Sequence, residues 1–197
     1  MNTNTDLESV DTEKQPENGK FDLLSELFDW LEVFVLSISL VFILFTFIFR
    51  VAVVDGPSMN ETLHHGETLV INELFYEPKQ GDVVVFQSPN MGYGEPLVKR
   101  IIATEGQTVE IDFDNWIVYV DGEAIPEPYI RRVGYRMNGW AWGDSFTVPD
   151  GCVFVMGDNR NDSTDSRSPS IGAVDERYIL GKVVFRFYPF SKLGFIN

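Results

Sequence analysis

The sequence predicts a mostly β domain carried behind one N-terminal membrane-spanning helix. Two observations carry this expectation. Residues Val33 to Phe49 hold no charge and almost no polarity, a run at the lower bound of the roughly 17–25 apolar residues that cross a bilayer. Beyond residue 50 the texture changes to short β-branched and aromatic runs divided by Gly, Pro, Asn and Asp. No helical period lies between those runs, which is the pattern of an all-β domain.

Residues 1–20 are polar and acidic and include Pro16, Asn18 and Gly19, the composition of a disordered tail. Residues 21–51 form an amphipathic segment and the transmembrane helix. Phe21, Leu24, Leu27, Phe28 and Leu31 fall at helical spacing, with Asp22, Glu26 and Asp29 opposite. A cleavable leader is excluded, because the run lacks a basic start and a small-residue cleavage site. Trp30 and Arg50 bracket it as interface anchors. Lys14 and Lys20 precede the span, and after Arg50 no basic residue comes until Lys79. That asymmetry leans toward a cytoplasmic N-terminus and an extracytoplasmic domain over 52–197.

Seven strands are expected in that domain: Thr68–Leu74, Asp82–Gln87, Leu97–Ala103, Thr108–Asp112, Trp116–Val120, Cys152–Met156 and Ile179–Tyr188. Asp121-Gly122 signals a two-residue hairpin. Residues 131–147 read as an excursion from the sheet with Arg131, Arg132, Arg136, Trp140 and Trp142. Its tryptophans either dip into a membrane interface or pack on the sheet.

The net charge of −15 is spread along the chain, −6 over residues 1–50 and −9 over 51–197. It disfavours nucleic acid as a partner. It also makes membrane attachment a matter of hydrophobic insertion and not of a basic patch. The single cysteine, Cys152, rules out an internal disulfide and sits in an apolar strand. No Cys and His spacing suits a metal, and the adjacent His64 and His65 read as solvated polar residues.

Gly56-Pro57-Ser58-Met59-Asn60-Glu61-Thr62-Leu63 sets a serine in a tight turn just past the span. A serine hydroxyl needs a base, and no histidine is suited to the role. In Leu97-Val98-Lys99-Arg100-Ile101-Ile102 only Lys99 can lose its proton, and apolar surroundings lower its pKa. The third stretch is the polar loop Met156-Gly157-Asp158-Asn159-Arg160-Asn161-Asp162-Ser163-Thr164-Asp165-Ser166-Arg167. Asp165 and Arg167 can pair with each other or across to a neighbouring loop.

Taken together, Gly-x-Ser-Met-x-x-Thr-Leu, Gly-Asp-Val-Val-Val-Phe, Val-Lys-Arg-Ile-Ile-Ala and Gly-Asp-Asn-Arg-x-x-Ser-x-Asp-Ser-Arg resemble the bacterial type I signal peptidases in order and spacing. The resemblance covers roughly residues 30–190. It implies a bent antiparallel β-sheet and a membrane-bound serine endopeptidase at the extracytoplasmic face of the cell membrane. Its substrates would be secretory preproteins cut after small residues, and it would use no cofactor. It aligns Ser58 as nucleophile, Lys99 as base and Ser163 as the hydroxyl that orients the lysine. Asp158, Arg160, Asp165 and Arg167 would brace the site. Ala52, Val54, Met59, Leu63, Leu97 and Val98 would line shallow pockets for an extended substrate lying near 52–56 and 96–98. Glu61 and Glu105 stand where the family usually has proline. Gly56 stands where some members have an oxyanion-binding serine, leaving the Ser58 N–H as main donor. A self-cleaving repressor-type protease shares the Ser-Lys logic but lacks the span. A silent binding domain would not need the three site residues, and a sortase-like enzyme would need Cys152 exposed beside a histidine.

Overall fold

The computed structural model describes residues 23–87, 95–130 and 142–196. Helix α1 spans Leu23–Ile48 and is followed without a break by strand β1, Phe49–Val53. The expected helix therefore stops three residues before the sequence boundary at 51. Phe49 ends the uncharged run and Val51 follows Arg50 with another apolar side chain, but the backbone of all three pairs with a strand. The large apolar side chains described between Leu23 and Ile43 are each at least half exposed. Glu26, Asp29 and Glu32 lie in the helix's first half. Among the described residues, no helix is long and apolar enough to cross a membrane. The chain divides into two compact units between Phe42 and Ile43.

After the end of α1, the second unit is built mainly of β-strands. Its further strands are β2 (Thr68–Asn72), β3 (Val83–Phe86), β4 (Leu97–Ala103), β5 (Thr108–Asp112), β6 (Ile117–Val120) and β7 (Glu123–Ala124). They continue with β8 (Ser145–Thr147), β9 (Cys152–Met156), β10 (Val174–Asp175), β11 (Ile179–Tyr188) and β12 (Gly194–Phe195). The larger sheet runs β1-β2-β11-β3-β4-β9-β10, with β12 beside β11, and every pairing is antiparallel. A smaller sheet runs β7-β6-β5-β8. Val120 pairs Glu123 across Asp121 and Gly122, both at positive φ, so the hairpin read from sequence forms.

Alternation along β4 and β9 sends side chains to both faces. Ile102, Phe154 and Met156 pack with Val109, Val118 and Val120 of the smaller sheet. Ile101, Val153 and Val155 pack with Val84 and Phe86 on the other side. Val83, Val85, Leu69 and Ile71 receive Val54, Met59 and Leu63, which seats the turn around Ser58 on the sheet.

Of the excursion, 131–141 lies outside the described residues, and so do the tail 1–20, Arg131, Arg132, Arg136 and Trp140. Trp142 packs against the apolar cluster of the smaller sheet, 4.8 Å from the Phe146 ring, and its Nε1–H donates to the Ser166 carbonyl. Ser145–Thr147, read as excursion, is strand β8.

Candidate active site

Ser58 is carried by a tight turn held by backbone bonds from Asn60 to Pro57 and from Thr62 and Leu63 to Met59. Met59 and Leu63 are fully buried beneath it, so the turn is fixed from its apolar side while Ser58 stays partly accessible. Lys99 comes from β4, paired with Val84 of β3. Its Nζ donates to Ser58 Oγ at 2.7 Å and to the Val98 carbonyl at 3.0 Å. Only 3% of Lys99 is exposed. Burial pushes its amine down to about 8. The Asp165 carboxylate opposes that, Arg167 reinforces it and Asp158 opposes it again.

The polar loop after β9 closes the site through three ion pairs, each buried on both sides. Asp158 takes two hydrogen bonds from Arg100, at 2.9 and 2.8 Å, and one from the Thr62 hydroxyl. Arg167 donates twice to Asp165 at 2.7 Å. Arg160 pairs with Glu127 and donates to the Gly157 carbonyl. Burial alone would raise the Asp165 carboxyl, but the Arg167 guanidinium and the Gly157 N–H hold it below its usual range. The loop also grips the backbone around Ser58. The Asn159 N–H donates to the Ser58 carbonyl at 3.0 Å, and its side-chain amide donates to the Pro57 carbonyl at 3.1 Å.

Gly157 is the pivot. A Cβ there would lie 2.5 Å from the Ser58 carbonyl oxygen and 2.6 Å from the Ser163 Cβ. Only a residue without a side chain lets these two serines converge. The Ser163 hydroxyl is buried close enough to the Asp165 carboxylate to help hold it down, but makes no hydrogen bond of ordinary geometry among the described residues. It does not bond the Lys99 amine, contrary to the orienting contact that the resemblance implied.

A groove of about 390 Å³ runs between β1 and the start of β4. Ala52, Val53 and Asp55 line one wall, and Glu95, Pro96 and Val98 line the other. Ala52 and Val98 were expected there. Val54, Met59 and Leu63 are instead buried with the sheet core, and Leu97 packs toward Val84 and Phe86. Residues 97–99 of β4 extend past the end of its pairing with β9, and β1 is a sheet edge. Both offer backbone to an added strand.

Sequence reasoning missed Thr62, Glu127, Gly157 and Asn159. Gly157 and Asn159 lay inside the quoted loop, but a partner assignment is tertiary information. Glu127, flanked by Pro126 and Pro128, gave no local signal. Of the two unusual acids, Glu105 accepts from the Gly151 N–H and holds that turn, while Glu61 is exposed. His65 meets Asp55 and the Gly56 N–H, and neither histidine bonds Ser58. The Cys152 thiol is raised, first by burial and then by nearby acids such as Asp175 and Glu176, the opposite of an activated nucleophile. Among the described residues no acid, His or Cys cluster could hold a metal.

Comparison with known proteins places residues 27–188 in the family described as signal peptidase, peptidase S26. A signal peptidase I of Bacillus amyloliquefaciens is 34% identical over 185 residues, covering 90% of this chain and 96% of that one. A probable signal peptidase I-1 of Synechocystis is 40% identical over 151 residues, 72% of each chain. A crystal structure of a signal peptidase I from Enterococcus faecalis is 30% identical with a TM-score of 0.45. That match covers 55% of this chain and 98% of that one.

Proposed function

The chain belongs to the signal peptidase family, peptidase S26, and on that premise we propose that it removes N-terminal signal peptides from secreted preproteins by serine-lysine hydrolysis. The observation that carries this reading is the 2.7 Å contact from Lys99 Nζ to Ser58 Oγ within a buried box. With its pKa near 8, about one Lys99 amine in ten is neutral at pH 7, enough for a general base.

Neutral Lys99 takes the Ser58 proton as Oγ adds to the scissile carbonyl carbon. The Ser58 N–H stabilises the oxyanion. Collapse breaks the C–N bond, and the Lys99 ammonium gives its proton to the departing amine, which is the new N-terminus of the mature protein. The signal peptide is left as an ester on Ser58. Lys99 then takes a proton from water as its oxygen adds to the ester carbon, and on collapse the ester C–O bond breaks, the Lys99 ammonium returns that proton to Ser58 Oγ, and the signal-peptide acid leaves and ionises in water.

The groove between β1 and β4 holds the residues before the cut as an added strand. Ala52 and Val98 on its walls favour small side chains at the first and third positions. Helix α1 anchors the chain in the membrane as a single pass and sets the β unit at the extracytoplasmic face. The uncharged run from Val33 and the exposure of its described apolar side chains support this part of the reading.

The test uses the full chain in detergent with a secretory precursor bearing Ala-x-Ala. Wild type cleaves after the second alanine. Ser58→Ala, Lys99→Ala and Lys99→Arg lose more than about a thousandfold in rate. Full activity of Lys99→Arg overturns the base assignment, because arginine keeps its proton.

A further inference from the structure

The turn that carries Ser58 is gripped at its start and at its end. Asn159 holds the Pro57 and Ser58 carbonyls, and Asp158 takes the Thr62 hydroxyl. A further grip comes from outside the polar loop. The Thr62 carbonyl accepts a hydrogen bond at 3.1 Å from Nη1 of Arg186, 124 residues further along the chain on β11.

Arg186 is itself held by Glu67. The same Nη1 donates to Glu67 Oε2 at 3.0 Å, and Nε donates to the Lys192 carbonyl at 2.8 Å. The Lys192 ammonium donates to the other Glu67 oxygen at 3.3 Å. Glu67 is only 3% exposed. Burial raises its carboxyl, but the Arg186 guanidinium, the His64 backbone and the Lys192 ammonium together bring it below its usual range. The Glu67 backbone also closes the loop between β1 and β2, since its carbonyl accepts from the Val54 N–H at 2.9 Å. Val54 precedes Ser58 and Thr62 follows it, so one buried acid ties both flanks of the nucleophile. The last link is short. The Thr62 N–H donates to the Met59 carbonyl at 2.9 Å, and one peptide bond joins Met59 to Ser58. A shift of Thr62 is therefore passed to the hydroxyl that must stay 2.7 Å from the Lys99 amine.

We propose that Arg186, held by Glu67, is a positioning residue for Ser58, fixing the far end of the nucleophile turn so that the hydroxyl stays in line with the lysine amine. The inference rests on the peptidase reading above. The rigid guanidinium fork suits three acceptors set in different directions, which a lysine ammonium on a flexible stem does not reproduce. A misplacement of about 1 Å can cost a hundredfold in rate, so a turn loosened at one of its grips should lose about tenfold. Glu67, Thr62 and Arg186 do not line the groove between β1 and β4, so substrate binding should be spared.

The experiment uses the full chain in detergent with the Ala-x-Ala precursor. Each variant is assayed well below its own thermal midpoint, where loss of folded protein does not enter. Arg186→Met keeps the aliphatic stem and removes the donors. Its kcat should fall about tenfold with KM within about twofold of wild type. Arg186→Lys keeps the charge opposite Glu67 and should lose only about threefold in kcat. Lys182→Met breaks a comparable ion pair on the same strand, 2.6 Å to Asp82, and should leave kcat unchanged. Wild-type kcat in Arg186→Met overturns the proposal. So does a rise in KM with kcat held, or an equal fall in Lys182→Met, which would make the effect one of β11 at large. If Arg186→Met does not fold, Arg186→Lys decides: an unchanged kcat overturns the proposal, and a fall in kcat alone upholds it. Cleavage of no precursor by wild type removes the peptidase reading itself, whereas an active wild type with indifferent variants removes the positioning role alone.

Discussion

Lys99 and Arg100 are neighbours on one strand, both almost wholly buried, yet their surroundings treat their charges in opposite ways. Arg100 meets Asp158 in a two-bond ion pair and has the Tyr129 ring against it. The Lys99 amine meets a hydroxyl and a carbonyl, and among the described residues no carboxylate lies within ion-pair distance. A buried charge must be paired or be given up. Arginine cannot give it up, so it is paired; lysine can, so the pair is withheld. The same split recurs across the loop, where Asp165 is committed to Arg167 and Asp158 to Arg100. Those acids sit close enough to affect Lys99, but their lone pairs are occupied by guanidinium groups. The teaching is that a basic amine at neutral pH depends as much on engaging the nearby acids elsewhere as on apolar surroundings.

The strongest way to break this contrast is Asp158→Asn. It takes the countercharge from the buried Arg100 guanidinium and should cost about 3–5 kcal/mol of stability, read as a fall in thermal midpoint. An unchanged midpoint would mean that the pair is dispensable. Next is Lys99→Met, which should stabilise the fold by about 2 kcal/mol at pH 7, since the buried amine is then no longer charged at a cost. The sign follows from proton binding. The folded amine has its pKa near 8, below the value of about 10.4 in the unfolded chain. Between these the unfolded state holds more protons, so wild-type stability rises with pH through that window. The advantage of Lys99→Met should therefore narrow from pH 8 to pH 10, and chemical denaturation at a series of pH values would measure it.

Third, kcat/KM should fall about tenfold per pH unit below 8 and level off above it. A flat profile from pH 6 to 9 would assign the base elsewhere. The smallest effect sharpens the comparison from outside. Arg177 and Asp175 form an ion pair at 2.6 Å, but the Arg177 side chain is 85% exposed. Arg177→Ala should leave the thermal midpoint within measurement error.

Much of the sheet was legible in the sequence because burial on both faces makes Val83–Phe86 and Cys152–Met156 continuous apolar runs, and burial on one face makes Thr108–Asp112 alternate. Leu97–Ala103, Thr108–Asp112, Cys152–Met156 and Ile179–Tyr188 were read to the residue. β1 was not, because Phe49 ends the uncharged run, Val51 follows Arg50 with another apolar side chain, and composition cannot say where helix gives way to strand. β7, β10 and β12 have two residues each and carry no period to detect. Ser58 and Lys99 were legible because few residue types can do that chemistry. Thr62, Glu127 and Asn159 were not, since a hydroxyl, an acid and an amide are common at surfaces and only the fold assigns their partners. Of the expected pocket residues, Ala52 and Val98 line the groove, while others are buried in the core. Met59 and Leu63 sit close to the nucleophile in sequence, but the turn spends them on anchoring itself.

The wrapping of Lys99 has a consequence for timing. The parts that enclose its amine come from distant stretches of chain, Ser58 from 41 residues before it and the loop around Asp158 from 59 residues after it. Until those stretches have met, the amine is in water with its ordinary basicity, and at pH 7 fewer than about one in a thousand is neutral. A chain that has not yet made those contacts therefore carries Ser58 and Lys99 but keeps the amine charged.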